Sequence, residues 1–261
     1  MQHADWVLVV LIGLLFYWIF TSIRRARFGK QVYVRRIPGV DAIDNALGRA
    51  TEMGRPAIYT LGDCTVQNME LYASLGILSY VAARAARYGI KLITTVLQPP
   101  IYPMVEETMR DAYRAAERLD DFSEENVRFL STDGIVYAML TANTIESEDA
   151  ASAFFLGTFS FTSLLMTEPG NRRGVIQIAG DTNTGQMPFF VASCDYTIIG
   201  EELFAASAYV SDDATIKGSL VAQDRFKLVL LALILLGILL LTVPIPGLSD
   251  SPILELFRRY Q

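Results

Sequence analysis

Several short polar clusters in this chain hold residue types that can contact a small ligand. They are Gly62-Asp63-Cys64-Thr65, Gln98, Ser131-Thr132-Asp133, Gly180-Asp181-Thr182 with Thr184 and Gln186, and Gly200-Glu201-Glu202. Backbone N–H groups at helix starts, with small residues beside them, can receive a phosphate or a carboxylate. The aspartates Asp63, Asp133 and Asp181 argue against a bare anion site, so a cation or a ribose hydroxyl would have to take part. The plainer reading is that these three cap helices, since Asp is a favoured N-cap residue. Cys64 at a helix start is either a thiol of lowered pKa or an inert one. Glu201-Glu202 reads as the acidic first turn of a helix.

Other chemistry is excluded by residue type. The only histidine is His3, so the chain interior has neither the commonest general base nor the Ser-His and Cys-His nucleophile pairs. Cys64 and Cys194 are the only cysteines, too few for a zinc site by themselves. Neither GDCTVQ nor GDTNTG has the dinucleotide order G-x-G-x-x-G, and no G-x-x-x-x-G-K-[ST] run occurs. No catalytic or metal-binding residue is assigned, and no cofactor is implied.

The clusters lie where strands are expected to end. Pro56–Leu61, Ile90–Leu97, Val127–Leu130, Val175–Ala179 and Tyr196–Ile199 are short apolar runs bounded by turn residues, as buried parallel strands are. Helical spacing is read over Val40–Ala50, Val66–Tyr88 (stopped by Gly89), Pro103–Leu119, Ile135–Asn143 and Met187–Cys194. Ala150–Thr167 is read as a buried helix closed by Glu168-Pro169-Gly170-Asn171, in preference to a further membrane span. Strand–helix alternation predicts an α/β fold: a doubly wound, mostly parallel, Rossmann-like sheet of about five strands. Ligands in such sheets sit beyond the carboxyl ends of the strands, where these clusters fall.

The chain has 261 residues, is 52% apolar and carries a formal net charge of −6, with a mean hydropathy of +0.32. Its apolar excess is at the two ends. Trp6–Ile23 and Leu228–Leu248 are uncharged runs, and about twenty such residues span a bilayer, so two transmembrane helices are expected to flank the α/β domain. Arg24, Arg25, Arg27, Lys30, Arg35 and Arg36 follow the first run, and Lys217, Arg225 and Lys227 precede the second. The positive-inside rule then places the main domain in the cytoplasm and both termini outside. The expected division is 1–23 (tail and first span), 24–55 (basic segment and amphipathic helix), 56–227 (α/β domain), 228–248 (second span) and 249–261 (outer tail, with a short interfacial helix around Ile253–Arg259). The basic segment suits anionic lipid. No nucleic-acid partner is expected at this net charge.

The run QIAGDTNTGQMPFFVASCDYTIIGEELFAASAY, with the earlier FFLGTFSF, resembles an uncharacterised family of bacterial membrane proteins known only as a domain of unknown function. The likeness covers about residues 31 to 230. It implies a membrane-anchored α/β domain in the bacterial inner membrane and no assigned activity. A weaker likeness, in Ala192-Ser193-Cys194-Asp195-Tyr196-Thr197-Ile198-Ile199, is to the helix, A-C-D, strand passage of crotonase and Clp-like folds. The paired glycines those folds place before the helix are missing here.

These readings set the functional expectations. The first is a non-catalytic, self-associating scaffold, a homo-oligomer held in the bilayer plane. The second is a sensor binding a small polar ligand or nucleotide at the strand ends. The third is a crotonase/Clp-like hydrolase.

Overall fold

A computed structural model describes residues 6–27, 37–211 and 214–242. The expected extended segment Gln31–Ile37 (except Ile37), residues 28–36 of the basic segment, the end of the second apolar run and the C-terminal interfacial helix lie outside them. The chain divides into two compact units. One is formed by helix α1 (Trp6–Arg27) and helix α9 (Ala214–Thr242). Gly218 lets α9 come close to α1, since a Cβ there would lie 2.7 Å from the Cα of Ile23. Among the described residues no helix is long and apolar enough to cross a membrane. Both apolar runs of the sequence extend past the described side chains.

The other unit is the α/β domain. Its strands are β1 (Ala57–Gly62), β2 (Leu92–Val96), β3 (Val127–Phe129), β4 (Ser152–Thr158), β5 (Ile176–Asp181) and β6 (Tyr196–Ile199). They form one six-stranded sheet in the order β3-β2-β1-β4-β5-β6, and every pairing is parallel. Five strands were expected. The sixth is β4, which lies in the middle of the sheet and replaces the first half of the helix expected over Ala150–Thr167. The second half starts helix α6 (Ser163–Arg172), which runs on through Pro169 instead of stopping there.

Helices α2 (Pro38–Met53), α3 (Met69–Tyr88), α4 (Tyr102–Ala115) and α8 (Glu202–Val210) contribute to one core. With them pack Tyr59, Leu92, Phe154, Ile178 and Ile198, from one face of the sheet. Helix α2 shows how the sequence chooses its side: Val40, Ile43, Leu47 and Ala50 recur at helical spacing and are all buried. Helices α5 (Gly134–Ser147), α6 and α7 (Met187–Ser193) cover the opposite face, where Tyr137, Met166 and Phe190 meet Ile58, Ile93, Phe155 and Ala179. The alternating residues of β1, β2, β4 and β5 thus serve two cores, so these strands read as unbroken apolar runs.

The strand order reverses between β1 and β4. Sheets of this order carry their ligand crevice at that point, beyond the carboxyl ends of the strands. The fold therefore directs attention to Gly62 and the residues after it, and to Thr158 and the residues after it.

Candidate functional site

Chain and sheet meet very closely at the switch point. Gly62 has φ +65°, and a Cβ on it would lie 2.2 Å from the Thr158 carbonyl oxygen. Only glycine meets both conditions. The β1–β4 register shifts between Thr60 and Gly62, and beyond the shift the Asp63 N–H donates to the Thr158 carbonyl at 2.6 Å. The β4 chain then crosses the end of the sheet as Phe159-Ser160-Phe161. Asp63 accepts the Ser160 N–H on Oδ2 at 3.0 Å, and Asp181 accepts the Phe159 N–H on Oδ2 at 3.1 Å. Asp181 Oδ1 accepts the Asn183 N–H at 2.8 Å, and the Asn183 side chain donates back to the Phe159 carbonyl at 3.1 Å. Two carboxylates from strands on either side of β4 thus clamp its following loop.

The Phe159 ring is driven into this gap. It is fully buried, and its centroid lies 5.1 Å from that of Phe190 in an edge-on arrangement. It also sits against Gly62, where a Cβ would meet its ring carbons at 2.7 and 2.8 Å. The place where this fold commonly receives a ligand is filled by the protein's own phenyl group.

Of the expected site residues, Gly62, Asp63, Cys64, Gly180, Asp181 and Thr182 are brought to this edge. Thr182 donates to Glu70 at 2.7 Å, fastening the β5 loop to the start of α3. Thr65 turns to the Asn68 side chain, which accepts its N–H at 2.9 Å. Gln186 accepts the Ser163 hydroxyl at 2.6 Å, and Thr184 is exposed. Asp133 caps α5 as expected, accepting from Ile135 and Val136 at 3.0 and 2.9 Å. The cap reading needs correcting at the other two aspartates. Asn68 occupies the N-cap position of α3 and Gln186 that of α7, so Asp63 and Asp181 anchor a loop instead. Cys64 likewise does not open a helix, because α3 begins at Met69.

The electrostatics follow from burial. The Cys64 thiol is pushed up to about 11 by desolvation, against the lowering effect of its Thr158 contacts, so it stays protonated near neutrality and is a poor nucleophile. Asp181 is pushed up to about 6, again by burial, partly offset by the backbone N–H groups of Asn183, Phe159 and Thr182. Its folded pKa exceeds its ordinary value of 3.8, so between these values the folded chain binds more protons than the unfolded one. Stability from this group therefore rises as pH falls through 6, and above 6 the full cost of the buried charge is present. We expect unfolding in urea to show about 1 kcal/mol more stability at pH ~5 than at pH ~7.5 from this carboxyl. That increment should be missing from Asp181→Asn. Equal pH slopes in the two proteins would rule out the assignment.

Sequence reasoning missed Glu70, Asn183 and the whole Thr158–Ser160 segment. The available signal was Gly157 inside an apolar run, which marks close backbone approach in a strand. Two buried atoms here, Asp63 Oδ1 and Thr158 Oγ1, have no hydrogen-bond partner among the described residues. Among the described residues no group of three or more His, Cys, Asp or Glu side chains could hold a metal ion. The passage likened to crotonase folds does run from α7 through Cys194 and Asp195 into β6. Its Asp195 carboxylate accepts the Gln177 N–H at 2.8 Å and so ties β6 to β5.

The profile of a family described as a domain of unknown function, DUF6754, matches residues 1–251. The chain belongs to this family. No curated protein and no solved structure matches it. The DUF6754 match spans the α/β domain and both apolar runs.

Proposed function

We propose that this chain is a membrane-anchored, non-catalytic α/β scaffold that associates with copies of itself. The observation that carries the reading is the closed switch point. Phe159 packs at the switch point, Asp181 accepts backbone N–H groups on both oxygens and Asp63 on one, and the nearby thiol is protonated. Anchoring is supported by the α1 and α9 unit, which leaves Val10, Phe16, Phe20, Leu228, Ile234 and Ile238 exposed. Apolar side chains in that number and continuity suit lipid. With the positive-inside distribution of charge, the α/β domain faces the cytoplasm of a bacterial cell. Two tethers confine it to the membrane plane and raise its effective concentration for lateral contact.

Native mass spectrometry of the full-length protein, released gently from its own membranes, tests this. A discrete multimer with no added mass is expected. A protein extracted by alkaline carbonate, or one that is monomeric, overturns the reading. A second reading is favoured by the unpartnered Asp63 Oδ1 and Thr158 Oγ1, which a small polar ligand with a donor group would satisfy. A reproducible extra mass on each subunit, lost in Asp63→Asn, is the result that supports it.

A further inference from the structure

Helices α5, α6 and α7, on one face of the sheet, hold long uncharged stretches (Gly134–Ile145, Phe159–Thr167 and Thr184–Cys194), and the charges within the helices themselves are Glu146, Glu168 and Arg172. Each turns one apolar side to the core and another outward. Helix α5 exposes Ile135, Val136 and Met139, and α6 exposes Leu164 and Leu165. Phe161 before α6 is 68% exposed, and Phe189 and Val191 on α7 are exposed as well. Of these, Phe161, Leu164, Leu165 and Phe189 line a groove of about 430 Å³. Pro169 lies in its wall and has no N–H to donate, so the Leu165 carbonyl one turn earlier lacks its usual helical partner. Among the described residues the charges lining the groove are Glu168 and Arg172, which pair at 2.8 Å.

We infer that this α5–α6–α7 face is the surface through which two copies of the chain associate. The inference rests on the scaffold reading and specifies its contact. Charge decides the partner. The chain carries a net −6, so a face on which an acid and a base balance, Glu168 with Arg172, opposes its own copy less than the rest of the surface does. In a two-fold contact the same patch serves both sides. A two-fold contact that sets Glu168 of each copy against Arg172 of the other makes the rim self-complementary. A membrane surface is a poorer fit, because the face offers one arginine, already paired, where anionic headgroups call for a basic cluster.

The test uses full-length protein in nanodiscs and compares wild type with Leu165→Glu. Leu119→Glu, an equally exposed apolar position following α4 on the other side of the sheet, is the control. Leu165 is exposed, so the fold should hold, and the unfolding temperature reports whether it does. We expect Leu165→Glu to weaken self-association by about tenfold or more with an unchanged unfolding temperature, and Leu119→Glu to behave as wild type. As a second probe, Leu165→Cys should be cross-linked between copies by a short bismaleimide. A multimer that survives Leu165→Glu, with no cross-link at 165, overturns this interface but leaves the scaffold reading intact. A monomeric wild type overturns both. A lipid or foreign-protein mass that is bound by wild type and lost in Leu165→Glu gives the face to that occupant instead.

Discussion

Gly157→Ala is expected to lose the folded α/β domain. Gly157 lies in the central strand, and a Cβ there would stand 2.1 Å from the Leu61 carbonyl oxygen, 2.8 Å from the Leu61 carbonyl carbon and 3.0 Å from the Cys64 sulfur. Two of these three atoms are backbone of the adjoining strand, so no rotamer change can relieve the contact. Relief requires β1 and β4 to separate where their register already shifts, which also lengthens the Asp63 N–H to Thr158 carbonyl bond. A cost of about 4 kcal/mol or more follows, a large share of the total stability of an ordinary domain. Gly48→Ala in α2 is the matching control. A Cβ there meets nothing within 4 Å, and alanine in a helix interior should raise stability by about 0.5–1 kcal/mol. Thermal unfolding of the two full-length variants in detergent should therefore move in opposite directions. A Gly157→Ala protein that melts within a few degrees of wild type would mean that the strands are farther apart than described.

The same glycine shows why part of this fold was legible in the sequence and part was not. Strands β1, β2, β5 and β6 are short apolar runs ended by glycine, proline or aspartate, and each was found within a residue or two of its place. Strand β4 is Ser152–Thr158, and the chain from Ala150 to Thr167 carries no charge at all. Being central, β4 is buried on both faces and shows no alternation. An apolar run of that kind cannot be told from a buried helix by periodicity. Joined to the first turn of α6, it had the length of a helix. Strand, loop and helix follow one another there with only Gly157, Ser160 and Thr162 to mark the changes.

That single misreading accounts for what was missed at the site. The parallel sheet places Asp63 and Asp181 at one edge whatever their role, so their proximity could be foreseen. Their partners could not, because the N–H groups they accept belong to the loop after β4. Without that strand the two aspartates looked like free ligand groups or helix caps. Only Asp133, whose partners are its own neighbours in sequence, was read correctly as a cap. Local capping is written in the sequence, whereas a carboxylate that answers a backbone amide 97 residues away requires the topology.

Phe159→Ala is the second large effect expected, and it bears directly on function. The ring is fully buried against Phe190 and Gly62, so truncation should cost about 3–5 kcal/mol. Phe159→Leu, which keeps most of the volume, should cost under about 1.5 kcal/mol. The backbone clamp from Asp63 and Asp181 involves no side-chain atom of Phe159, so the loop can stay in place around a new cavity at the switch point. Urea unfolding measures the cost, and native mass spectrometry of the same variant reports its assembly. A scaffold whose crevice is merely core predicts lower stability with the multimer retained, since the α5–α6–α7 face is untouched. Should Phe159→Ala cost under about 1 kcal/mol, the ring is not held as core. The clamp is then a lid over a pocket, and Asp63 Oδ1 and Thr158 Oγ1 become the atoms a ligand would meet first.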